Sequence, residues 1–367
     1  MKPVAKRRIF ELDLLRGLFI IIIIIDHLQF WPSPLRYITG EGRLWVTAAE
    51  GFFLISGLLI GYIRAYKGKS KSLRDISVLL SKRAGLLYLW GVMITLAVTL
   101  FALFVGGHEL LPKLPSSEQL TSPATFIWSI LSMQYFNDWI YFLRLYAIML
   151  LATPIFLWIL RKGYDRIIPF IIVTLYIAGF AIPEGSLQWQ ALFFGAALIG
   201  YRLEDIKSWM QNNPAIRKIL SFSVIALTLV TMTISFFFVH GWVKVEDPHW
   251  DLMDRDTYVD IRTHIDPFFT LSPLAPGRVM LAFLWFAGLL LAFNLLSRQI
   301  MKTFGWLLIP LGEKSLSAYC LQALILPIVV VVLAPSGELF NTTIGILVVL
   351  AIWWLLRIKW VGKIIPR

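Results

Sequence analysis

The chain has little of what many soluble enzymes use to build a reactive site. A single cysteine, Cys320, occurs among 367 residues, which excludes an intrachain disulfide and a cysteine metal cluster. The five histidines are scattered without HExxH or similar spacing, so the sequence predicts no metal site. Charged residues make up only 15% of the chain, against roughly 25% in an average soluble domain. No nucleic-acid-binding motif is present, and the sequence predicts no nucleic-acid partner.

Hydrophobic residues dominate the composition instead. They make up 58% of the chain in long runs from end to end, without the alternation of barrel strands. The sequence predicts an all-α polytopic membrane protein: one integral-membrane domain over 1–367, a single bundle of about ten transmembrane helices. The predicted spans are 9–31, 45–66, 84–106, 139–161, 166–183, 187–202, 216–241, 277–298, 315–335 and 341–361.

The distribution of Lys and Arg predicts the orientation. They concentrate in the N-terminal tail, in the loop 67–83, in every second connection after it, and in the C-terminal tail. Cytoplasmic segments carry this excess in membrane proteins. Both termini are therefore predicted in the cytoplasm, which agrees with an even number of spans, in a multi-pass protein of the plasma (inner) membrane. The net charge of +12 then reflects topology and attraction to membrane lipids.

The first predicted span is unusual because it carries ionisable residues. Arg16 and His27 are eleven residues apart, three helical turns, so they share one face roughly 16 Å apart along the axis. Asp26 lies beside His27. Ionisable groups at membrane depth are costly and usually face a protein interior or a cavity. The pair is too distant for direct contact and indicates two points on one path across the bilayer.

The second predicted span supplies a carboxylate at a similar depth. An antiparallel hairpin brings Glu50 toward His27, where a His with a neighbouring carboxylate can act as general base. Asp26 fits that role less well, because it points about 100° away round the helix. Arg144 enters span four from the outer side, where it can pair with Glu50 or Asp26 or bind an anionic substrate. A structural histidine and a proton relay of a transporter remain alternatives.

Two segments outside the spans are candidates for ligand binding. Lys82 and Arg83 lie at the mouth of span three, where they can hold phosphates, although basic residues are expected at any cytoplasmic span end. The outer loop 241–277 combines seven carboxylates with aromatic residues, Trp250 among them. This mixture suits a carbohydrate, and equally a solvated loop with interfacial tryptophans.

Several motifs resemble those of a known family. LDLLRGLFIIIIIIDHL, with Arg16 and His27 eleven apart, resembles the first-span motif of the membrane acyltransferase 3 superfamily. Five further motifs are similar to its OpgC-type branch, the periplasmic glucan succinyltransferases, in the expected order. They are AEGFFLISG, KRAGLLYLW, MQYFNDWIYFLRLYAIMLLATP, LQWQALFFGAALIGYR and LGEKSLSAYCLQ. One departure is Gln322, where relatives often have His.

The resemblance implies transfer of an acyl group from cytoplasmic acyl-CoA to an acceptor outside. It implies that His27 is the catalytic histidine and that Arg16 supports the site or the donor path. Arg83 matches a basic position of the coenzyme A region, and Glu50 matches the acidic residue of the second span.

The sequence therefore predicts a transmembrane O-acyltransferase, with His27, Glu50 and Arg16 catalytic, Arg83 and Lys82 at the donor, and Asp26, Arg144 and Trp250 at the substrate. Acyl-CoA of the acetyl or succinyl class is the donor substrate, with no tightly bound cofactor, and an extracytoplasmic glycan or glycolipid is the acceptor. A sugar transporter or flippase with an Arg–His–Glu relay, and an assembly subunit of an envelope complex, are the alternatives. The oligomeric state is open, a homo-oligomer included.

Overall fold

The protein is helical throughout the part of the chain that its structure, a computed structural model, describes: residues 9–182, 184–247, 249–250, 252–359 and 361. No β-strand occurs in these ranges. A π-helical segment, Ile60–Tyr66, continues α3, and 3-10 turns lie at Gly40–Gly42, Asp138–Ile140 and Asp266–Phe269. The helices are α1 (Phe10–Leu28), α2 (Arg36–Thr39), α3 (Ala48–Leu59), α4 (Leu73–Phe104), α5 (Pro123–Leu131), α6 (Tyr141–Arg161), α7 (Ile168–Ala181), α8 (Gly185–Tyr201), α9 (Leu203–Asn212), α10 (Pro214–Val245), α11 (Arg255–Ile265), α12 (Pro276–Leu295), α13 (Ser297–Glu313), α14 (Ser315–Val332) and α15 (Glu338–Leu355).

Each predicted span coincides with a helix. Seven of the described helices are long and apolar enough to cross a membrane. Helices α7 and α8 are shorter, with 14 and 17 residues, and α1 is interrupted by charged residues. The all-helical, multi-pass architecture is confirmed, whereas the count of ten, the single domain and the cytoplasmic termini stay predictions. Much of the basic sequence of both tails, 1–8 and 362–367, lies outside the described residues.

Helix α1 runs through the interior of the protein. It contacts α3, α12, α13, α14 and α15, and Leu14, Ile20 and Ile24 on it are fully buried. Hydrophobic residues occur on all its sides, as is typical of a helix that other helices enclose. Its polar residues therefore lie where they must be paired or face a cavity.

An amphipathic helix, α13, lies directly against α1. This segment falls in the connection between two predicted spans, 277–298 and 315–335. A Cβ atom on Gly17 would lie 2.1 Å from the carbonyl oxygen of Leu308, and one on Gly312 would lie 1.8 Å from that of Asp13. The two backbones are in contact, which only small residues permit.

The same kind of contact joins α3 to α8. A Cβ atom on Gly57 would lie 2.0 Å from the carbonyl oxygen of Phe193, and one on Gly61 would lie 1.8 Å from that of Ala197. Small residues let helix backbones approach closely within a membrane. These glycines therefore hold α3 closely against α8.

The predicted outer loop 241–277 is folded over most of its described length. Helix α10 extends into it, and Asp254 caps the N-terminus of α11, its side chain accepting a hydrogen bond from the Thr257 amide. Tyr258 on α11 is fully buried, and its hydroxyl donates to the carbonyl oxygen of Phe238 over 2.6 Å. The loop is thus held against the end of α10.

The glycine contacts predict the outcome of one pair of substitutions. Gly57→Ala should lower the free energy of unfolding by about 1–3 kcal/mol, because its methyl group would force α3 and α8 apart. Gly85→Ala is the control, since no atom lies within 4 Å of the added Cβ and alanine favours a helix by about 1 kcal/mol. Thermal unfolding in detergent measures both. Equal unfolding temperatures for the two variants would contradict the contact.

Candidate functional site

A cavity of about 460 Å³, here called the central cavity, lies between α1, α3, α4, α6, α8 and α14. Arg16 and Asp26 both line it. They are ten residues apart on α1, or about 15 Å along the helix axis. The central cavity therefore extends about 15 Å along α1, roughly half of the 30 Å hydrocarbon core of a bilayer.

One end of the central cavity is basic. Arg16 and Arg83 line it beside Ser315 and Leu316 in the first turn of α14, and a helix N-terminus carries partial positive charge. The Nε atom of Arg16 is buried and has no hydrogen-bond partner among the described residues. Glu313 also lies on this wall, but it already has an interaction partner of its own. Charge-assisted hydrogen bonds from guanidinium groups suit an anion such as phosphate.

The opposite end is acidic. Asp26, Glu41 and Asp138 line it, and the Oδ1 atom of Asp26 is buried without a hydrogen-bond partner in the described ranges. Glu41 adopts a positive φ of 56° and forms an ion pair with Arg36, whose Nη2 lies 2.8 Å from its Oε1. Ionised carboxylates only accept hydrogen bonds, so this end suits a ligand rich in hydroxyl groups.

Aromatic side chains line the middle of the central cavity. Phe142 is the centre of this group: its ring centroid lies 4.9 Å from that of Phe53, and 5.7 Å from those of Tyr146 and Tyr319. Phe52 completes the group at 5.8 Å. Such a wall stabilises an uncharged chain that passes between the two polar ends.

His27 lies on the wall of the central cavity, as Arg16 does, so the shared face predicted from their spacing is confirmed. Its ring stacks on Trp139, with centroids 5.7 Å apart and planes 11° from parallel. Its Nδ1 atom lies 3.1 Å from Oε1 of Gln322 on α14. The ring is therefore restrained on one face and at one edge.

Glu50 has partners other than the histidine, which corrects the arrangement expected from the sequence. The Nε–H of Arg278 donates to its Oε1 over 2.5 Å. The amide and hydroxyl of Thr47 donate to its Oε2, over 2.9 and 2.8 Å. The carboxylate is fully buried and Arg278 is buried beside it. Gln322, not Glu50, thus contacts the ring of His27, and a catalytic role for Glu50 stays a prediction.

Three other predicted site residues are not on the wall of the central cavity. Arg144 pairs with Glu184 at 3.1 Å, and not with Glu50 or Asp26, the two pairings that the sequence left open beside binding of an anionic substrate. The ring of Trp250 lies 5.8 Å from Nζ of Lys244. Lys82 is exposed on α4. Their roles at the substrate or donor stay predictions.

Two kinds of residue at or near the site were not predicted from the sequence. Arg278 lies at the start of an apolar helix, and an ionisable residue there was a signal for a buried partner. Glu41 and Asp138 lie in short polar connections, where nothing in the sequence separates them from ordinary solvated carboxylates.

One comparison with known proteins identifies the family. The OpgC protein family matches residues 8–361, nearly the whole chain. The chain belongs to the OpgC family. This membership supports an acyltransferase-like function on glucans for this membrane protein. Searches among curated proteins and among solved structures gave no match. The OpgC match includes both Arg16 and His27, so the central cavity lies within the region that defines the family.

The buried Glu50–Arg278 pair predicts a loss of stability. Glu50→Ala should cost about 3–5 kcal/mol of unfolding free energy, because it leaves a buried guanidinium unpaired. Replacing both residues, Glu50→Leu with Arg278→Met, should recover most of that loss. Lys207→Ala is the control, since its pair with Glu204 is exposed and is worth about 1 kcal/mol or less.

Thermal unfolding of the purified variants measures these differences. A Glu50→Ala variant as stable as Lys207→Ala, yet without activity, would contradict the structural role and favour the catalytic one.

Proposed function

We propose that the protein is a transmembrane O-acyltransferase. It moves an acyl group of the acetyl or succinyl class from cytoplasmic acyl-CoA to a hydroxyl of an extracytoplasmic carbohydrate, a glucan by family. The observation that carries the proposal is one cavity with arginines at one end and a restrained histidine and carboxylates toward the other. Such a cavity lets donor and acceptor approach one base from opposite sides.

The donor occupies the basic end. Arg83 and Arg16 bind its phosphates through charge-assisted hydrogen bonds, and the pantetheine arm follows the aromatic middle toward His27. Lys82, exposed next to Arg83, adds charge at the entrance. Acyl-CoA is a substrate in this scheme, and no tightly bound cofactor is needed.

The chemistry takes place at His27. Its Nε2 atom takes the proton of the acceptor hydroxyl as general base. The oxygen forms a bond to the acyl carbon, the carbon–sulfur bond breaks, and the imidazolium returns its proton to the departing thiolate. Direct transfer is preferred here, with an acyl-histidine intermediate as the alternative.

The acceptor occupies the acidic end. Asp26 and Glu41 offer carboxylate oxygens to sugar hydroxyls, and the free Oδ1 atom of Asp26 favours this use. Trp250 and the segment 241–277 are proposed to contact the acceptor further out, with Arg144 at the edge of the site. Ten spans, cytoplasmic termini and a place in the plasma (inner) membrane are part of this proposal, because that orientation puts the basic end at the cytoplasmic face.

The alternative, a sugar transporter or flippase, would use the same polar residues as a relay. Family membership favours acyl transfer. Release of free coenzyme A thiol, dependent on acceptor, separates the two, because a transporter cleaves no thioester.

His27→Ala should abolish acyl transfer without unfolding the protein. General base catalysis supplies about 10²–10⁴-fold in rate, and the loss should appear in kcat. His108→Ala is the control, because that side chain is exposed in the connection between α4 and α5 and should leave the rate unchanged. Release of coenzyme A thiol from purified protein measures both. A folded His27→Ala variant with near-normal turnover would overturn the mechanism.

Arg83→Ala should raise the KM for acyl-CoA far more than the KM for the acceptor. Its effect should shrink at saturating donor, the signature of lost uniform binding. Lys82→Ala is the matched control: it removes the same charge from the neighbouring position, off the cavity wall, and should have a smaller effect. Calorimetry with acyl-CoA measures donor binding. Equal affinity for acyl-CoA in Arg83→Ala and the unsubstituted protein would show that the donor site is misplaced.

A further inference from the structure

The contact between His27 and Gln322 joins residues 295 positions apart. Gln322 is fully buried on α14, and its Oε1 atom lies 3.1 Å from Nδ1 of the histidine. The side-chain amide has no net charge, so it shares the interior with the ring at a lower desolvation cost than an unpaired carboxylate. This contact is the direct polar link between the ring and the rest of the described protein.

The ring has one edge left for a substrate. Trp139 covers a face and Gln322 occupies the Nδ1 edge, while His27 itself lines the central cavity. The nitrogen available to a hydroxyl in the cavity is therefore Nε2. To accept a proton, Nε2 must carry a lone pair and Nδ1 must carry the hydrogen.

The orientation of the Gln322 side-chain amide determines which ring nitrogen of His27 carries that hydrogen. With Oε1 facing the ring, Nδ1–H donates to it and Nε2 is free to accept. With the amide reversed, its NH₂ group would donate to Nδ1, and Nε2–H would face the cavity as a donor. We infer that Gln322 is a positioning residue that holds His27 in the Nδ1–H form. This inference rests on the proposed function, in which Nε2 is the general base.

The cost of the arrangement also points to a function. The Nε2 atom of Gln322 is buried with no hydrogen-bond partner in the described part of the chain. A leucine of similar size would avoid this unsatisfied donor. An unsatisfied polar group in a native interior calls for a specific reason. The need to hold His27 in one orientation is such a reason.

The hydrogen bond at Nδ1 of His27 comes from Gln322 and not from the charged groups on the cavity wall. They are Asp26, Glu41 and Asp138 at the acidic end, and Arg16, Arg83 and Glu313 at the basic end. Glu50, the carboxylate expected to orient the ring, is held by Arg278 and Thr47. Orientation of the ring thus falls to Gln322.

Nitrogen-15 NMR of histidine-labelled protein tests the inference directly and needs no activity. The spectrum distinguishes protonated from unprotonated ring nitrogens, and couplings to the ring protons distinguish Nδ1 from Nε2. A difference spectrum against His27→Asn assigns this ring among the five histidines. We expect the Nδ1–H form at neutral pH. A signal from the Nε2–H form would overturn the inference.

Two substitutions separate positioning from simple packing. Gln322→Glu keeps an acceptor at Nδ1 and stabilises the imidazolium, so the rising limb of the pH–rate profile should move to higher pH with kcat largely kept. Gln322→Leu removes the acceptor, and kcat should fall by part of the roughly 10²–10⁴-fold of general base catalysis. The KM for acyl-CoA should be unchanged in both. An unmoved pH profile in Gln322→Glu would mean a structural role only.

The failure of this inference and the failure of the proposed function give different results. Near-normal turnover in His27→Ala would show that His27 is not the general base, whichever ring nitrogen carries the hydrogen in the NMR experiment. Loss of turnover in His27→Ala, with normal kcat in Gln322→Leu, would refute the positioning role alone and leave the acyltransferase proposal intact.

Discussion

The cost of ionisable side chains within an apolar bundle governs how this protein is built. Helix α1 is enclosed by other helices, yet it carries Arg16, Asp26 and His27. Such groups persist at membrane depth only when they are paired or face a polar space. Here they face the central cavity, and the surrounding helices supply a partner for the ring of His27. The same rule explains why Glu50 is tied to Arg278.

Contacts between helix backbones give the cavity its shape. Glycines bring α13 against α1 and α8 against α3 at distances that no side chain would allow. Such close packing excludes water from the helix contacts, so the charged side chains of these helices are paired, as Glu50 is, or face the central cavity. Aromatic rings, Phe53, Phe142 and Tyr319 among them, line the part of the central cavity between its basic and its acidic end.

Local patterns predicted much of the fold and part of the site. Apolar runs located the helices, and the eleven-residue spacing placed Arg16 and His27 on one face. The partners of Glu50 and His27 were not predictable, because Arg278 and Gln322 lie 228 and 295 positions away. Such pairings depend on which helices become neighbours in three dimensions, and composition or periodicity carries no information on that.

The central claim is that donor and acceptor reach one site from opposite sides of the membrane. Proteoliposomes with glucan trapped inside and radiolabelled acyl-CoA outside test it most directly. In vesicles oriented with the basic end outward, the account predicts label on the trapped glucan while acyl-CoA stays outside. Transfer that occurs only when glucan and acyl-CoA share one compartment would contradict it.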